Sequence, residues 1–498
     1  MVSSSPYQTT SVSFMKHCYL VYFCLMTVAS FGQKTHTVQV EMGAIAGSSN
    51  QVPFWHQTNQ FGAAPSALPA LTGRVRVFSD PIPPKSSTGK RRLLDWNYGL
   101  DVVGNAASRS NVALIEGYLG VRLGAFRIEA GRKRETIGLI DTLLTTGAVS
   151  YSGNALPIPK VQLSTNGFVE IPFTKQLFAF QSTFAHGWFG PQRVSPNYFR
   201  TPPDGVLDYY GHYVETYFHQ KTFYGRFGKP TWKVNLYGGF NDLAFWGNEA
   251  VIWNPGFQLS TAESFRRVVM GVNWSGSKVG NHFGTIDLAA SIKGKAWDVF
   301  VYRQSIFDTG SLLNALNIDA LNGIRLRNKK TPGNTNWYFK NVLLEFLYTN
   351  DQREPLVSSG RNDYFNHYLY LDGWSYRGRG LGTPLAAIDR DLKGFVGNSI
   401  NQGGYIANNR IVSLHVGLDG TYKRETRFMA KFSLSHNKGT YASTFPTPRN
   451  QLSSFVSVSK PLRVLGGSEG RLSLSADVGE LYPARAAIQV SIIKTWHL

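Results

Sequence analysis

The sequence predicts an all-β fold: a transmembrane antiparallel β-barrel of about 18 strands, with short helical elements on the periplasmic side or in the lumen. Three observations predict it. From residue 113 onward the chain alternates apolar and polar residues with period 2. Its first residues have the pattern of an export signal. After residue 33 no apolar run approaches the roughly 20 residues that a membrane-spanning helix needs.

The N-terminal segment comes first. Met15-Lys16-His17 is a short basic start, Cys18 to Ser30 an apolar core, and Ser30-Phe31-Gly32 a small-residue cleavage site. Residues 1–32 are therefore expected to be a signal peptide, with Met15 as an alternative start. Val21-Tyr22-Phe23 before Cys24 lacks the small residues of a lipoprotein signal. The only cysteines, Cys18 and Cys24, lie in this segment, so residues 33–498 can form no disulfide or thiolate metal site. Removing the segment lowers the net charge only from +20 to +19. A basic exported chain suits anionic lipid or acidic glycan, and export makes nucleic acid an unsuitable partner. No Lys/Arg run exceeds Lys90-Arg91-Arg92, so the charges read as barrel lumen and loop residues.

The strands follow in order. Leu119, Val121 and Leu123 alternate with Gly120 and Arg122. After a turn at Gly124, Phe126, Ile128 and Ala130 alternate with Arg127 and Glu129. Trp232, Val234 and Leu236 form an apolar face, as do Ile286, Leu288, Ala290 and Ile292. Val412 to Leu418, Phe428 to Leu434 and Leu472 to Val478 repeat the pattern. The last strand places Ile488, Val490, Ile492, Trp496 and Leu498 on one face. Alternation alone fits a soluble sandwich equally well. Export, an apolar strand at the C-terminus and aromatics near strand ends favour a membrane barrel. Those aromatics are Tyr217, Phe218, Tyr224, Phe245, Trp246, Trp297 and Tyr302, expected as interface girdles. In lipid every backbone N–H and C=O must be paired, so the strands must close into a ring.

Four segments break the pattern. Residues 79–96, with Pro81, Pro83 and Pro84, read as a loop. Residues 311–321 and 383–395 have spacings that allow short helices. Residues 131–159 combine a charged start, an apolar stretch from Ile137 to Leu144 and a Gly-, Asn- and Pro-rich return. Too short and interrupted to span lipid, they are expected to be a plug-like insert in the lumen or at the periplasmic end. No second domain is expected within 33–498.

Motifs for catalysis are missing. There is no His-Glu-x-x-His, Walker loop or Gly-x-Gly-x-x-Gly, and the 11 His show no metal-ligand spacing. Gly466-Gly467-Ser468-Glu469-Gly470 matches Gly-x-Ser-x-Gly, but a strand follows where that motif needs a helix. It reads as a hairpin turn. No enzyme activity, cofactor or metal is expected. Saccharides bind by stacking C–H faces on aromatic rings and by hydrogen bonds to polar side chains; acidic ones add ion pairs to Arg and Lys. Such mixtures occur at Arg132, Lys133 and Glu135; Trp188 and Arg193; His219 and Lys221; Asn241 and Trp246; Trp374, Tyr376 and Arg377; and Asn409 and Arg410. These are the candidate polysaccharide contacts. Taken singly, each Trp or Tyr equally suits an interface girdle and each Arg or Lys a balanced lumen charge.

Several of these pieces also resemble the capsule assembly Wzi family of outer-membrane proteins, in its Bacteroidetes-type form. They are Val52-Pro53-Phe54-Trp55 with Asn59-Gln60-Phe61-Gly62; Gly131-Arg132-Lys133; Ser152 with Asn154-Ala155 and Pro157-Ile158-Pro159; His186-Gly187-Trp188-Phe189; His219-Gln220-Lys221; Trp246-Gly247; and residues 380–384. Their order and spacing carry the resemblance. It implies an outer-membrane barrel with lectin-like binding of capsular or other surface polysaccharide, supporting capsule assembly and attachment. Outer-membrane lipid or lipopolysaccharide and, transiently, the barrel-insertion machinery are the other expected partners. The alternative is a diffusion porin for small anionic or sugar solutes.

Overall fold

The structure, a computed structural model, describes residues 35–79, 93–195, 212–252, 256, 258–274, 277–307, 315–331, 336–353, 361–394, 405–463 and 466–498. The expected signal peptide lies outside them. In chain order the barrel strands are β1 (His36–Gly47), β2 (Ala70–Ser79), β3 (Leu94–Ala106), β4 (Asn111–Leu123), β5 (Phe126–Arg132) and β6 (Lys160–Thr165). Then come β7 (Phe178–Val194), β8 (His212–Phe227), β9 (Val234–Trp246), β10 (Asn281–Lys293), β11 (Trp297–Phe307) and β12 (Ala320–Asn328). The last are β13 (Trp337–Tyr348), β14 (Ile411–Tyr422), β15 (Thr426–Gly439), β16 (Thr444–Leu462), β17 (Ser468–Gly479) and β18 (Arg485–His497). A two-residue piece, Val169–Glu170, pairs with β7 beyond the end of β6 and continues its line. Among the described residues the ring therefore has eighteen antiparallel staves, each paired with its neighbours in sequence.

The ring closes where β18 pairs with β1, from Thr37 opposite His497 to Gly47 opposite Ala487. Closure gives every described stave a hydrogen-bonded neighbour on both sides. The alternating apolar residues point outward: Leu119 is 68% exposed, Ile128 57% and Val490 53%. Their neighbours Arg122, Glu129 and Ser491 are buried and point inward. The chain is thus an inside-out protein, with polar residues lining its interior.

Short turns such as residues 124–125, 294–296 and 423–425 join strands at the end that holds both termini of the ring. The longest connections, 133–159, 247–280 and 349–410, lie at the other end. Outer-membrane barrels keep short turns in the periplasm and long loops at the cell surface, which orients the molecule.

Among the described residues helices are few: α1 (Phe54–Gln57), α2 (Glu249–Ile252) and α3 (Thr261–Met270). Helix α3 starts with an N-cap, the Ser260 hydroxyl accepting from Glu263 N at 3.2 Å. It ends at Gly271, whose φ of +67° is the left-handed stop. This helix lies at the surface end rather than the periplasmic one.

Some expectations change. The 79–96 loop is shorter at both sides, because Ser79 ends β2 and β3 starts at Leu94; residues 80–92 lie outside the description. In 311–321 there is only a single turn at 315–316, and Ala320 and Leu321 already pair in β12, so ladder hydrogen bonds override the helical spacing. Residues 311–314 lie outside the description. Residues 383–394 are mostly turns and bends, with a two-residue strand at Ala387–Ile388 and one 3-10 turn at Asp389–Asp391, and Phe395 lies outside. Phe218, Tyr224, Phe245 and Tyr302 are not girdle residues. Strand parity turns them inward, where they are 0–4% exposed.

Candidate functional site

The lumen is filled from its surface end. Residues 133–159 fold back from β5 and meet inward side chains on facing staves. Asp287 of β10 accepts from Leu139 N at 2.7 Å, and Gln304 of β11 accepts from Val149 N at 3.1 Å. Glu345 of β13 accepts from Thr145 Oγ1 (2.6 Å), Thr146 N (2.7 Å) and Thr146 Oγ1 (2.9 Å). His415 of β14 lies 2.7 Å from Leu144 O. Ile137, Leu144, Val149 and Ile158 are buried in the main apolar cluster. A second layer comes from 361–392. Trp374 Nε1 donates to Ser150 O at 2.7 Å, and Ser152 N donates to Leu381 O at 2.8 Å. Helix α1 enters beside them, its Phe54 N donating to Asp477 Oδ2 at 2.8 Å.

Among the described residues two sizeable cavities border the lumen. One of 340 Å³ is bordered by Lys133, Glu135, Lys160, Glu129 and Tyr118. There Lys133 pairs with Glu129 and lies 4.8 Å from the Tyr118 ring, while Lys160 pairs with Glu135. The other, of 530 Å³, lies below α1 and is lined by residues of β1 to β3 and β13 to β18.

The candidate residues separate into four groups. Arg132, Lys133 and Glu135 come together at or beside the smaller cavity, Arg132 reaching Tyr376 OH at 3.3 Å. Asn241, Trp374, Tyr376 and Asn409 are buried within the lumen packing. Asn241 donates to Tyr224 OH and Thr285 Oγ1 (3.0 and 2.6 Å) and accepts from Ser150 Oγ at 2.6 Å. Asn409 Nδ2 donates to Tyr364 O at 2.8 Å and its Oδ1 accepts from Gln352 at 3.1 Å. These side chains hold the packing together.

Arg193, Arg377 and Arg410 lie at the surface end. Arg193 pairs with Asp372 at 2.9 Å, and Arg377 is exposed. The fourth group lies on the outer wall. Trp188 is 55% exposed on the outward face of β7. His219, Lys221 and Trp246 also point outward, opposite in parity to Phe218, Gln220 and Phe245. Helix α3 covers them: Phe265 packs on His219 and Trp246, at 6.0 and 5.7 Å between centroids. Lys221 pairs there with Asp242 at 2.9 Å, and Asp242 lies 3.0 Å from His282.

One surface feature escaped sequence reading. The guanidinium carbons of Arg361 and Arg410 lie 4.4 and 4.0 Å from the centroid of the Tyr441 ring. Arg449 stacks nearby in sequence on Phe445, at 4.3 Å. Only the loop between β15 and β16 brings Tyr441 to two arginines, both distant in sequence; the sole local signal is the pair Tyr441 and Arg449. Below, burial pushes the Asp363 carboxyl up, although Asn409 and Asn366 donate to it. Burial holds His367 down at about 4, its Nδ1 accepting from Leu369 N at 3.1 Å.

Fold, apolar exterior and polar lumen together define an outer-membrane β-barrel. Among the described residues no cluster of three His, Cys, Asp or Glu could hold a metal. The chain belongs to the capsule assembly protein Wzi family, whose model matches residues 34–402. Its structure is similar to that of Escherichia coli Wzi, described as a carbohydrate-binding β-barrel involved in group 1 capsule assembly. Identity is 13%, covering 91% of this chain and 84% of that one, with a TM-score of 0.53. Acinetobacter baumannii OccAB4 has 10% identity over 94% of this chain and 98% of its own, at a TM-score of 0.45. Pseudomonas aeruginosa OpdL has 7% identity over 94% and 100%, at 0.46. A search of curated protein sequences finds no match.

Proposed function

We propose that this barrel is a non-enzymatic, lectin-like protein that binds surface polysaccharide and supports capsule assembly and attachment. Family membership over residues 34–402 carries the reading. The E. coli relative, a carbohydrate-binding barrel, supports the ligand class. The surface contact is assigned to Arg361 and Arg410 around Tyr441, with Arg377 exposed at the same end of the barrel. Two guanidiniums held against one ring are pre-positioned for bidentate contacts with carboxylate or phosphate groups of a glycan. Residues 131–159 act as the plug. Their packing on inward residues of β9, β10, β11, β13 and β14 disfavours the diffusion-porin alternative, which needs an open lumen. The exposed apolar belt contacts outer-membrane lipid, and the barrel-insertion machinery meets the chain transiently.

The test is binding of the purified protein to the native capsular polysaccharide, together with capsule retention in a deletion strain. Binding that weakens about tenfold or more in the double variant Arg361→Ala/Arg410→Ala, and falls with salt, is expected, since each charged contact contributes about 1 kcal/mol or more. Absence of binding together with unchanged capsule in the deletion strain overturns the proposal.

A further inference from the structure

The 530 Å³ cavity is not part of the surface patch, and its lining suggests a ligand of its own. We propose that it is a second saccharide site, open to the periplasm and selective for acidic sugars. It goes beyond the surface-binding reading and does not depend on it.

Its position comes first. The roof is formed by α1 and the residues after it, Trp55, His56, Thr58 and Asn59. The walls are inward residues near the short-turn ends of the strands. Arg427 stands one residue into β15 and Glu469 one residue into β17. Exposure rises in the same direction. Lys431, below Trp55, is 9% exposed; the Arg471 side chain is 39% exposed and that of Arg427 61%. The mouth therefore faces the periplasm, and the plug and α1 close the surface side.

The charges come next. Arg74, Lys340, Arg427, Lys431 and Arg471 face Glu41, Asp419 and Glu469. Each carboxylate already has a partner. Glu469 pairs with Arg427, Glu41 lies 3.5 Å from Arg471, and Asp419 accepts from Asn341 at 2.7 Å. Arg74 is taken by Asp101 outside the cavity, at 2.6 Å. Lys431 and Lys340 are left over, with no ion pair among the described residues. Lys431 is the telling one: a nearly buried ammonium whose ring contact is the Trp55 indole, 4.8 Å away. Glu345 and Asp141 attract it without contact, and a nearly buried ammonium with no carboxylate against it is costly, so an anionic group docking there gains more than at a solvated lysine.

The remaining surface suits a sugar. Serines and amides such as Ser457, Ser473, Asn105 and Gln489 can exchange hydrogen bonds with hydroxyl groups, and Trp55 and Phe455 provide ring surface. Roof and wall residues also keep polar atoms without a protein partner: His56 Nε2, Thr58 Oγ1, Asn59 Oδ1 and Asn105 Oδ1. The volume lies within the roughly 300–1,000 Å³ of small-molecule sites, enough for a short oligosaccharide. A carboxylate at Lys431 with hydroxyls against serines and amides describes a uronate-containing saccharide better than a neutral sugar or a bare anion.

The test uses a glucuronate-containing disaccharide, its neutral glucose-containing counterpart and inorganic phosphate, titrated by calorimetry onto purified protein. The acidic disaccharide is expected to bind at least tenfold more tightly than either of the others. Lys431→Gln is expected to weaken it tenfold or more. Equal binding of the neutral disaccharide, equal binding of phosphate, or no change in Lys431→Gln overturns the proposal. Sidedness has its own readout, which also serves if Lys431→Gln does not fold. Ser459→Cys puts a thiol on the cavity wall of a barrel without cysteines, since Cys18 and Cys24 both precede residue 35. A maleimide too large for general diffusion pores is expected to label it only after the outer membrane is permeabilised, with protection by the acidic disaccharide. Labelling in intact cells, or labelling without protection, overturns it. The surface variant Arg361→Ala/Arg410→Ala leaves disaccharide binding unchanged, so failure at the cavity and failure at the surface patch are distinguishable.

Discussion

Glu345→Ala tests the plug at its most heavily used anchor. The carboxylate accepts three hydrogen bonds from Thr145 and Thr146, at 2.6, 2.7 and 2.9 Å, and a fourth from Tyr302 OH at 2.5 Å. Hydrogen bonds to a charged acceptor contribute about 1.5–3 kcal/mol each, so the three bonds to the plug amount to about 5–9 kcal/mol at face value. Water entering the space left by the carboxylate re-solvates the freed donors, which reduces the loss to about 3–5 kcal/mol. At 1.4 kcal/mol per tenfold, the released plug becomes two to three orders of magnitude more populated. The anchors at Asp287, Gln304 and His415 remain, so release is transient. Single-channel recording in planar bilayers reads this directly. The wild type is expected to be nearly silent, Glu345→Ala to show short bursts, and deletion of residues 136–154 to give steady conductance. Traces as silent as the wild type in both variants, with folded barrels, refute the reasoning.

Two further outcomes follow from buried charge. Asp477→Ala leaves the Arg485 guanidinium, 2% exposed and paired at 2.7 Å, without its counter-ion, and removes the acceptor for Phe54 N. A loss of about 3–5 kcal/mol is expected, read as a lower unfolding temperature of the detergent-solubilised barrel; an unchanged temperature contradicts it. Burial holds His367 at about 4, below its ordinary 6.5. The unfolded chain then binds the proton more readily, so this contribution is present above pH 6.5 and is lost as pH falls toward 4. His367→Gln keeps an acceptor for Leu369 N and is expected to flatten the melting-temperature profile between pH 7 and 5 by about 1–2 kcal/mol. An identical slope in the variant rules His367 out.

Much of the wall was legible in the sequence because alternation is local. Leu119, Val121 and Leu123 announce one face and Arg122 the other, whatever lies across the barrel. The candidate site was less legible, and parity is the reason. His219 and Gln220 are neighbours in one motif, yet one lies under α3 on the outer wall and the other borders a lumenal cavity. Trp246 and Phe245 separate in the same way. A motif read as a unit crosses the wall of the barrel.

By itself the sequence determined the fold class, the membrane-facing strands and the family, because period-2 patterning and ordered motifs survive without knowledge of distant contacts. Only the tertiary structure decided what each inward or outward residue meets. Glu345 holds Thr145, and Lys431 is left unpaired beneath Trp55, through contacts between residues far apart in the chain. Such pairs depend on barrel closure and on the path of the segments folded into the lumen, and neither leaves a periodic trace in the residues that make the contact.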